Sequence, residues 1–260
     1  MSEVSPTSHA RQPLTFRQWL TWAAHLFKAV AYQYHRPFLR QVQPLIAPDG
    51  VIIDAGAHSG QFTKLFARLV PRGHVYAFEP SPYALSILRP VMALRRFSNV
   101  TIVEKGLSDG YGRETLHLPI KRRGSVGFGL AHMGTDVSGR ALLSYAIELM
   151  PLDGFAAAQE LTRLDFIKAD VEGWELNLLK GARATLERFR PALLLEVHEM
   201  TLARADATPQ QVWDFLRALG YVAFATDEHE DYRFTPVDAW CGNGDYLFVP
   251  AANAALVPVG

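Results

Sequence analysis

Apolar residues recur along this chain in two alternating patterns, short runs and longer stretches with helical spacing. The short runs predict seven strands, at 51–53, 75–78, 100–103, 166–169, 192–195, 221–224 and 246–249. The helical stretches between them lie at 60–70, 82–96, 174–188 and 208–219. Strands and helices that alternate in this way form a mostly parallel sheet with helices on both faces. The pattern therefore predicts an α/β fold.

Two other segments set the domain organisation. An amphipathic helix is predicted at 15–35, and the turn signal Pro48-Asp49-Gly50 separates it from the first strand. We assign 1–48 to an N-terminal helical extension and 49–260 to one α/β domain. Residues 119–150 are Gly-rich, irregular and longer than an ordinary connection, so we expect them to form an insert or a lid.

The N-terminal helix carries an apolar stripe with a basic neighbour, Trp19, Trp22, Phe27 and Lys28. A stripe of this kind fits a membrane surface. More often it packs on its own domain or on a second subunit, and we expect one of these two arrangements. A homodimer formed through the N-terminal helix is one prediction from this pattern.

Composition excludes several classes of protein. The 26 basic and 26 acidic side chains cancel, yet residues 1–130 carry a charge of +9 and residues 131–260 a charge of −9. Overall neutrality argues against a dedicated nucleic-acid binder. One cysteine, Cys241, allows neither an internal disulfide nor a multi-thiolate metal site. No stretch approaches the ~20 apolar residues of a membrane span, and the first residues hold no apolar leader, so we expect a cytoplasmic protein.

The sharpest local motif joins the first predicted strand to its helix. Asp54 ends the strand, Gly56, Ala57 and His58 form the turn, and Gly60 begins the helix. Glycines allow the backbone to approach a ligand closely, but the spacing is not the G-x-G-x-x-G of dinucleotide sites. Glu79 ends the second strand, where a carboxylate can accept both hydroxyls of a ribose. A nucleoside site without the dinucleotide loop suggests S-adenosylmethionine; the alternative is that Asp54 and Glu79 only cap the helices after them.

Five motifs together resemble a known family. They are the DxGAxxG loop at 54–60, Glu79-Pro80-x-Pro82, Leu107-Ser108-Asp109 with Gly112, the block 168–182 beginning Lys168-Ala169-Asp170-Val171-Glu172-Gly173, and the strand that carries Glu196. In these residues the chain resembles the FkbM-type methyltransferases over roughly 49–250. It departs from the family pattern at His58, where the family usually has Asn, and at Ala169, where it often has an aliphatic residue.

The resemblance implies a class I, Rossmann-like fold with a seven-stranded sheet, and methyl transfer from S-adenosylmethionine to a hydroxyl on a sugar, a glycan or a secondary metabolite. It places the methionine end of the cofactor near Gly56 and Ala57, the ribose on Glu79 and the adenine near Ser108 and Asp109. From the residues alone, Ser108 and Asp109 fit a polar turn between strands equally well.

Acidic residues at the ends of the later strands are the candidates for catalysis. Asp170 and Glu172 follow a buried strand, and a base near the acceptor hydroxyl would assist its attack on the methyl group. His198 is a further candidate base because it follows another buried strand on the face of Glu196, although a histidine there is more often structural. Glu196 is assigned to the acceptor. A metal on these four side chains is conceivable, but no ligand spacing supports it, and we predict none.

Lys121, Arg122 and Arg123 open the predicted insert and could bind an anionic acceptor, although a solvated loop is the commoner meaning of such a run. Two other functions stay open from the sequence. One is a nicotinamide-dependent oxidoreductase, which the missing dinucleotide loop disfavours. The other is a scaffold module that keeps the fold without catalysis, which the presence of Asp54, Gly56, Gly60 and Glu79 disfavours.

Overall fold

A central eight-stranded sheet organises the chain. The computed structural model describes residues 16–119, 132–133, 142–227 and 232–259. Its strands in chain order are β1 (Val51–Ala55), β2 (His74–Phe78), β3 (Val100–Val103), β4 (Gly106–Leu107), β5 (Gly112–Pro119), β6 (His132–Met133), β7 (Leu142–Met150), β8 (Phe166–Ala169), β9 (Ala192–Val197), β10 (Tyr221–Asp227), β11 (Arg233–Val237) and β12 (Gly244–Pro250). The α-helices are α1 (Phe16–Ala31), α2 (Arg36–Val42), α3 (Gln61–Leu69), α4 (Pro82–Arg95), α5 (Leu152–Ala158), α6 (Glu175–Lys180), α7 (Arg183–Phe189), α8 (Glu199–Leu202) and α9 (Pro209–Ala218).

The strands of the central sheet follow the order β11-β10-β12-β9-β8-β1-β2-β3. Strands β3, β2, β1, β8 and β9 are parallel, whereas β12 runs antiparallel between β9 and β10. All seven predicted strands are present, and the predicted α/β sheet with helices is confirmed. The eighth strand, β11, was not predicted because Pro236 interrupts it; proline is tolerated there since β11 lies at the sheet edge.

Both faces of the sheet are buried. Ile52, Phe166 and Leu194 pack on one side against α2 and α3, while their neighbours Ile53, Ile167 and Leu193 pack on the other side against α5, α6, α7 and α9. Successive strand residues point to opposite faces, so a strand covered on both sides must be apolar throughout. This explains the uninterrupted apolar runs of the sequence.

Local signals set the helix boundaries. Helix α4 begins with Pro82 after Ser81, whose hydroxyl accepts from the Ala84 amide, and α9 begins with a capping box between Thr208 and Gln211. The helix predicted at 174–188 is two helices, α6 and α7, separated at Gly181-Ala182. A Cβ on Gly181 would lie 2.0 Å from the Ser108 carbonyl oxygen, so the close packing of this break requires glycine.

A second sheet shares a hydrophobic cluster with α1 and α4. Its order is β4-β7-β5-β6, and β5 and β7 pair antiparallel from Gly112↔Leu149 to Pro119↔Leu142. The span 119–150, expected to be irregular, therefore ends in a regular strand from residue 142. Alternation of apolar Ile147 and Leu149 with exposed Glu148 gives the physical reason, because one face of β7 is buried and the other is not.

The N-terminal helix packs on the domain. The Trp22 indole N–H donates to the Ser86 hydroxyl over 3.0 Å, and His25 Nδ1 lies 3.2 Å from the Tyr83 hydroxyl. Lys64 is fully buried, and its ammonium donates to the carbonyls of Ala29 at 2.5 Å and Tyr32 at 2.9 Å. These bonds satisfy carbonyls at the helix C-terminus, where a cation is favoured. Among the described helices, none is long and apolar enough to cross a membrane.

Candidate active site

A cavity of about 370 Å³ opens where the parallel strands end. Its walls come from the carboxyl ends of β1, β2, β8 and β9, from Leu116 of the second sheet and from His35, which precedes α2. Open α/β sheets bind ligands at this edge, and cavities of roughly 300–1,000 Å³ accommodate small ligands. The predicted residues that line it are Gly56, Ala57, His58, Glu79, Asp170, Glu172 and Glu196.

The first loop is held tightly against two neighbouring strands. The amides of Gly56 and Ala57 both donate to the Phe78 carbonyl, over 3.0 and 2.9 Å. Gly56 has φ 75°, and a Cβ on it would lie 1.9 Å from the Asp170 carbonyl oxygen. No other residue fits here, because both the conformation and the space exclude a side chain. The loop backbone therefore faces the cavity at a fixed position.

Glu79 is anchored by backbone amides on both carboxylate oxygens. The His58 amide donates to Oε2 over 2.7 Å and the Ser81 amide to Oε1 over 2.8 Å. His58 itself has a φ of 53°, in the left-handed region that few side chains adopt. Burial raises the pKa of Glu79 to about 7, although the two amides and Lys168 oppose the rise. Each oxygen keeps a second lone pair with which to accept from a ligand.

Asp54 lies behind the loop rather than in the cavity. It is fully buried, and the Thr63 hydroxyl donates to its Oδ2 over 2.5 Å. Burial raises its pKa, with Lys168 and Thr63 opposing the rise. Its Oδ1 has no hydrogen-bond partner in the described part of the chain. Asp54 supports the loop from below, and Gly60, which has φ 82°, turns the chain into α3 without lining the cavity.

Lys168 places a positive charge beneath the acidic residues. It is buried within β8, and its ammonium lies 3.2 Å from Asp170 Oδ2, 3.4 Å from the Gly56 carbonyl oxygen and 5.2 Å from the centre of the Phe62 ring. Burial alone would lower its pKa, but Asp170 and Asp54 outweigh burial, and the pKa lies above its ordinary value. Lys168 therefore stays charged. Burial would raise the pKa of Asp170, but Lys168 above all holds it below its ordinary value.

The pKa values of two glutamates beside Asp170 are raised, whereas that of Asp170 is lowered. Burial, followed by the charge of Asp170, raises the pKa of Glu172 to about 7 and that of Glu196 to about 8. Near neutral pH, Asp170 is thus ionised and Glu196 holds a proton, and the two side chains hydrogen bond. Glu172 is balanced between its two forms. The site combines a fixed anion, a proton donor and a carboxyl group that titrates near neutrality.

Glu175 supports this cluster from outside the cavity lining. Its Oε1 accepts from the amides of Val171 at 3.0 Å and Gly173 at 3.3 Å, so it holds the loop that carries Asp170 and Glu172. It is fully buried, and burial raises its pKa to about 7. Glu172 has φ 55° and Gly173 φ 105°, which shows how sharply this loop turns.

Six further predicted site residues lie away from the cavity lining or outside the described residues. Ser108 is buried and accepts from the Trp174 indole over 3.1 Å, and its hydroxyl donates to Asp109. The cavity is lined next to them by Lys105, Gly106 and Leu107 instead. His198 precedes α8, and its Nδ1 is buried with no hydrogen-bond partner among the described residues. Lys121, Arg122 and Arg123 lie outside the described residues.

No group of three or more His, Cys, Asp or Glu side chains in the described ranges is arranged to hold a metal ion. Asp170, Glu172 and Glu196 share a cavity, and Lys168 donates to Asp170 over 3.2 Å. The absence of a metal stays a prediction.

A comparison with known families identifies the chain. The family model described as "Methyltransferase FkbM domain" matches residues 54–223, which is more than half of the 260 residues. The chain belongs to the FkbM methyltransferase family. This confirms the resemblance found in the sequence, and it argues against the nicotinamide-dependent alternative. The match begins at Asp54 and spans β1 to β10, so it includes the cavity except for His35.

Several proteins similar to this chain are named as methyltransferases. The 2-O-methyltransferase NoeI of Sinorhizobium fredii is 26% identical over 193 residues, which cover 71% of this chain and 78% of NoeI. Methyltransferase sdnD of Sordaria araneosa is 33% identical over 156 residues, covering 50% of this chain and 59% of sdnD. The crystal structure of Methyltransferase FkbM from Methylobacillus flagellatus KT is 16% identical, with a TM-score of 0.49, over 89% of this chain and 59% of that one.

Three titratable residues that line the cavity were not predicted as site residues: Lys168, His35 and Lys105. Lys168 left a signal, because a lysine interrupts an otherwise apolar strand of four residues that is buried on both faces. His35 and Lys105 left none. His35 comes from the N-terminal segment, where its ring stacks on Phe62 at 4.7 Å and hydrogen bonds to Tyr232. Contacts between segments so far apart in sequence have no local pattern.

Proposed function

We propose that this chain is an S-adenosylmethionine-dependent O-methyltransferase whose acceptor is a hydroxyl group on a sugar, a glycan or a secondary metabolite. The observation that supports it most is the acidic cluster beside the glycine loop, in which Lys168 holds Asp170 ionised next to the titratable Glu172. NoeI is named as a 2-O-methyltransferase, which supports oxygen as the methylated atom.

The cavity fits the cofactor in two respects. Gly56 leaves a bare backbone at its wall, and Glu79 is fixed in orientation with lone pairs to spare. We assign the ribose hydroxyls to Glu79, the methionine end to Gly56 and Ala57, and the adenine to the segment from Lys105 to Asp109. When bound, S-adenosylmethionine supplies a methyl group on a positively charged sulfur. Carboxylates near that charge favour its binding.

The acidic cluster positions the acceptor and removes its proton. Asp170 stays anionic near neutral pH, and we assign it to holding the acceptor by accepting from a polar group beside the reacting hydroxyl. Glu172, with a pKa of about 7, can take the hydroxyl proton on a carboxylate oxygen. Glu196, in its protonated form, donates to Asp170, and we assign its other oxygen to accepting from the acceptor molecule. His198 remains the alternative base.

Cofactor binding is tested by calorimetry with S-adenosylhomocysteine. Glu79→Ala removes two hydrogen bonds to a charged acceptor, and we expect affinity to fall by about a hundredfold or more. Glu79→Gln keeps one acceptor oxygen and should lose less. Glu114→Ala, at an exposed position, is the control. Unchanged affinity in a folded Glu79→Ala protein would exclude the ribose assignment.

The reaction is tested by transfer of a labelled methyl group to a panel of sugars, glycans and small hydroxylated compounds. Once an acceptor is found, Glu172→Gln should reduce kcat by roughly 10²–10⁴-fold and remove the rise of activity through pH 7. His198→Gln should keep both. If the two variants exchange these results, His198 is the base; label on nitrogen would overturn O-methylation. Bound cofactor with no transfer to any acceptor would favour the scaffold alternative.

A further inference from the structure

The outer face of α1 exposes apolar side chains that the domain does not cover. Leu20, Ala24, Phe27 and Ala31 are all exposed and lie on one stripe, since their spacing of four, three and four residues follows the helical repeat. The opposite side of the helix packs on α4 through Trp22, Leu26 and Ala29. Helix α1 therefore presents apolar residues on two sides, one toward the domain and one toward solvent.

Aromatic residues extend this stripe beyond the helix. Phe27 is 65% exposed, Tyr32 53% and Tyr34 50%, and their rings contact one another in a row with centroids 6.4 and 6.2 Å apart. Among the described residues, 11 large hydrophobic side chains are exposed, and five of these lie within residues 19–34. Leu94 of α4, the helix on which α1 packs, is a sixth. Such clustering, rather than scattered exposure, indicates an interaction surface.

The charges around this patch are positive. Arg95 donates to the Val30 carbonyl in the last turn of α1, and Arg68 donates over 3.0 Å to Gln33, which lies between the two exposed tyrosines. Arg68 is also near enough to Arg95 and Arg36 for their charges to act on it. Residues 4–103 contain 11 basic side chains and three acidic ones, and two of the three acids, Asp54 and Glu79, are buried.

We propose that the face formed by α1, the exposed tyrosines and these arginines docks on an anionic lipid bilayer. Aromatic and aliphatic side chains of a surface helix enter the boundary between headgroups and acyl chains, while basic residues contact anionic headgroups. A second copy of the chain would bring two basic faces together, which the charges oppose. A nucleic acid would satisfy the arginines but leave Leu20, Phe27 and Leu94 in water.

The test measures binding of the full chain to vesicles by co-sedimentation. Vesicles that contain phosphatidylserine should bind the protein, vesicles of phosphatidylcholine alone should bind it less, and added salt should weaken the binding. Lys28→Gln with Arg36→Gln, which removes one exposed charge on α1 and one at the start of α2, should weaken it by about fivefold for each charge. Leu20→Ser with Phe27→Ser should weaken it by about tenfold or more.

The controls use exposed residues elsewhere. Arg183→Gln with Arg188→Gln, and Met200→Ser, change the same chemistry away from α1 and should bind as the wild type does. Absence of binding to phosphatidylserine vesicles overturns the proposal. So does equal loss in the controls. If the wild type is a dimer in sedimentation analysis and the Leu20/Phe27 variant is not, the face binds a second copy of the chain. If the protein binds an RNA homopolymer and these vesicles do not displace it, the face binds nucleic acid.

Discussion

Replacing Lys168 by Met would leave the carboxylates of Asp170 and Asp54 near each other without the cation that lies between them. Lys168 is close in size to Met, so the substitution removes the charge and keeps most of the packing. The ammonium is 3.2 Å from Asp170 Oδ2. At an effective dielectric constant of about 20, two unit charges at that separation attract by ~5 kcal/mol. The Asp170 side chain is 43% exposed, and solvent screening lowers the expected loss of stability to ~2–3 kcal/mol.

The pH dependence identifies the origin of this loss. The pKa of Asp170 is held below its ordinary value of 3.8, so its contribution to stability is present above pH 3.8 and disappears as the pH falls through the lower, folded value. The pKa of Lys168 is raised, so its contribution is present below 10.5. The difference in the free energy of unfolding between wild type and Lys168→Met, the gap, is therefore greatest at neutral pH and narrows as Asp170 becomes protonated.

Urea unfolding at a series of pH values measures the gap. Lys180→Met is the control, because Lys180 is exposed at the end of α6 and its loss should change the free energy of unfolding by less than ~0.5 kcal/mol. A gap that stays constant as the pH falls well below 3.8 would show that Lys168 acts through packing and not through its charge. A gap no larger than that of the control would refute the ion pair as a stabilising element.

Three other substitutions test neighbouring parts of the structure. Gly56→Ala places a Cβ 1.9 Å from the Asp170 carbonyl oxygen, so we expect it to lower the free energy of unfolding by ~2 kcal/mol or more. Gly112→Ala is the control, because a Cβ at Gly112 meets open space and should change this free energy little. Urea unfolding compares the two variants. Glu196→Gln imitates the protonated form of Glu196, whose pKa is raised from 4.5 to about 8. The stability that the protonated form contributes is present below pH 4.5 and is lost as the pH rises through 8. The free energy of unfolding of the variant should therefore equal that of the wild type below pH 4.5 and exceed it by ~1–2 kcal/mol above pH 8 in the same assay. Lys64→Met leaves two carbonyls at the end of α1 without their donor, and hydrogen exchange should rise in α1 but not in β1, with a local cost of ~1–3 kcal/mol. Equal exchange in both elements would contradict the last expectation.

The central sheet could be predicted from the sequence because its strands are buried on both faces. A strand such as β8 must then be a short apolar run, and the intervening helices show their own period, so the two patterns separate cleanly. The second sheet was not predicted because its two long strands, β5 and β7, are not buried on both faces. Strand β5 is exposed along its first residues, 112–115, and a strand with so little burial carries no strong apolar signal.

The candidate site was predicted where it depends on local chain geometry. Gly56 and Glu79 follow directly from strands, and the end of a parallel strand fixes where the next residues lie. The role of Lys168 depends on the pairing of β8 with β1, which brings it beneath Gly56 from a position 112 residues away. The contribution of His35 depends on how the N-terminal segment crosses the domain, and no periodicity in its own sequence reports that path.

His35 gives the cavity a wall from a segment outside the family match. The match to the FkbM family begins at Asp54, so the cofactor loop and the acidic cluster belong to the shared region, while His35 and the segment that carries it do not. The two parts meet at a stacked contact between the rings of His35 and Phe62. A change in the N-terminal segment would therefore alter one wall of the cavity without changing any residue within the family match.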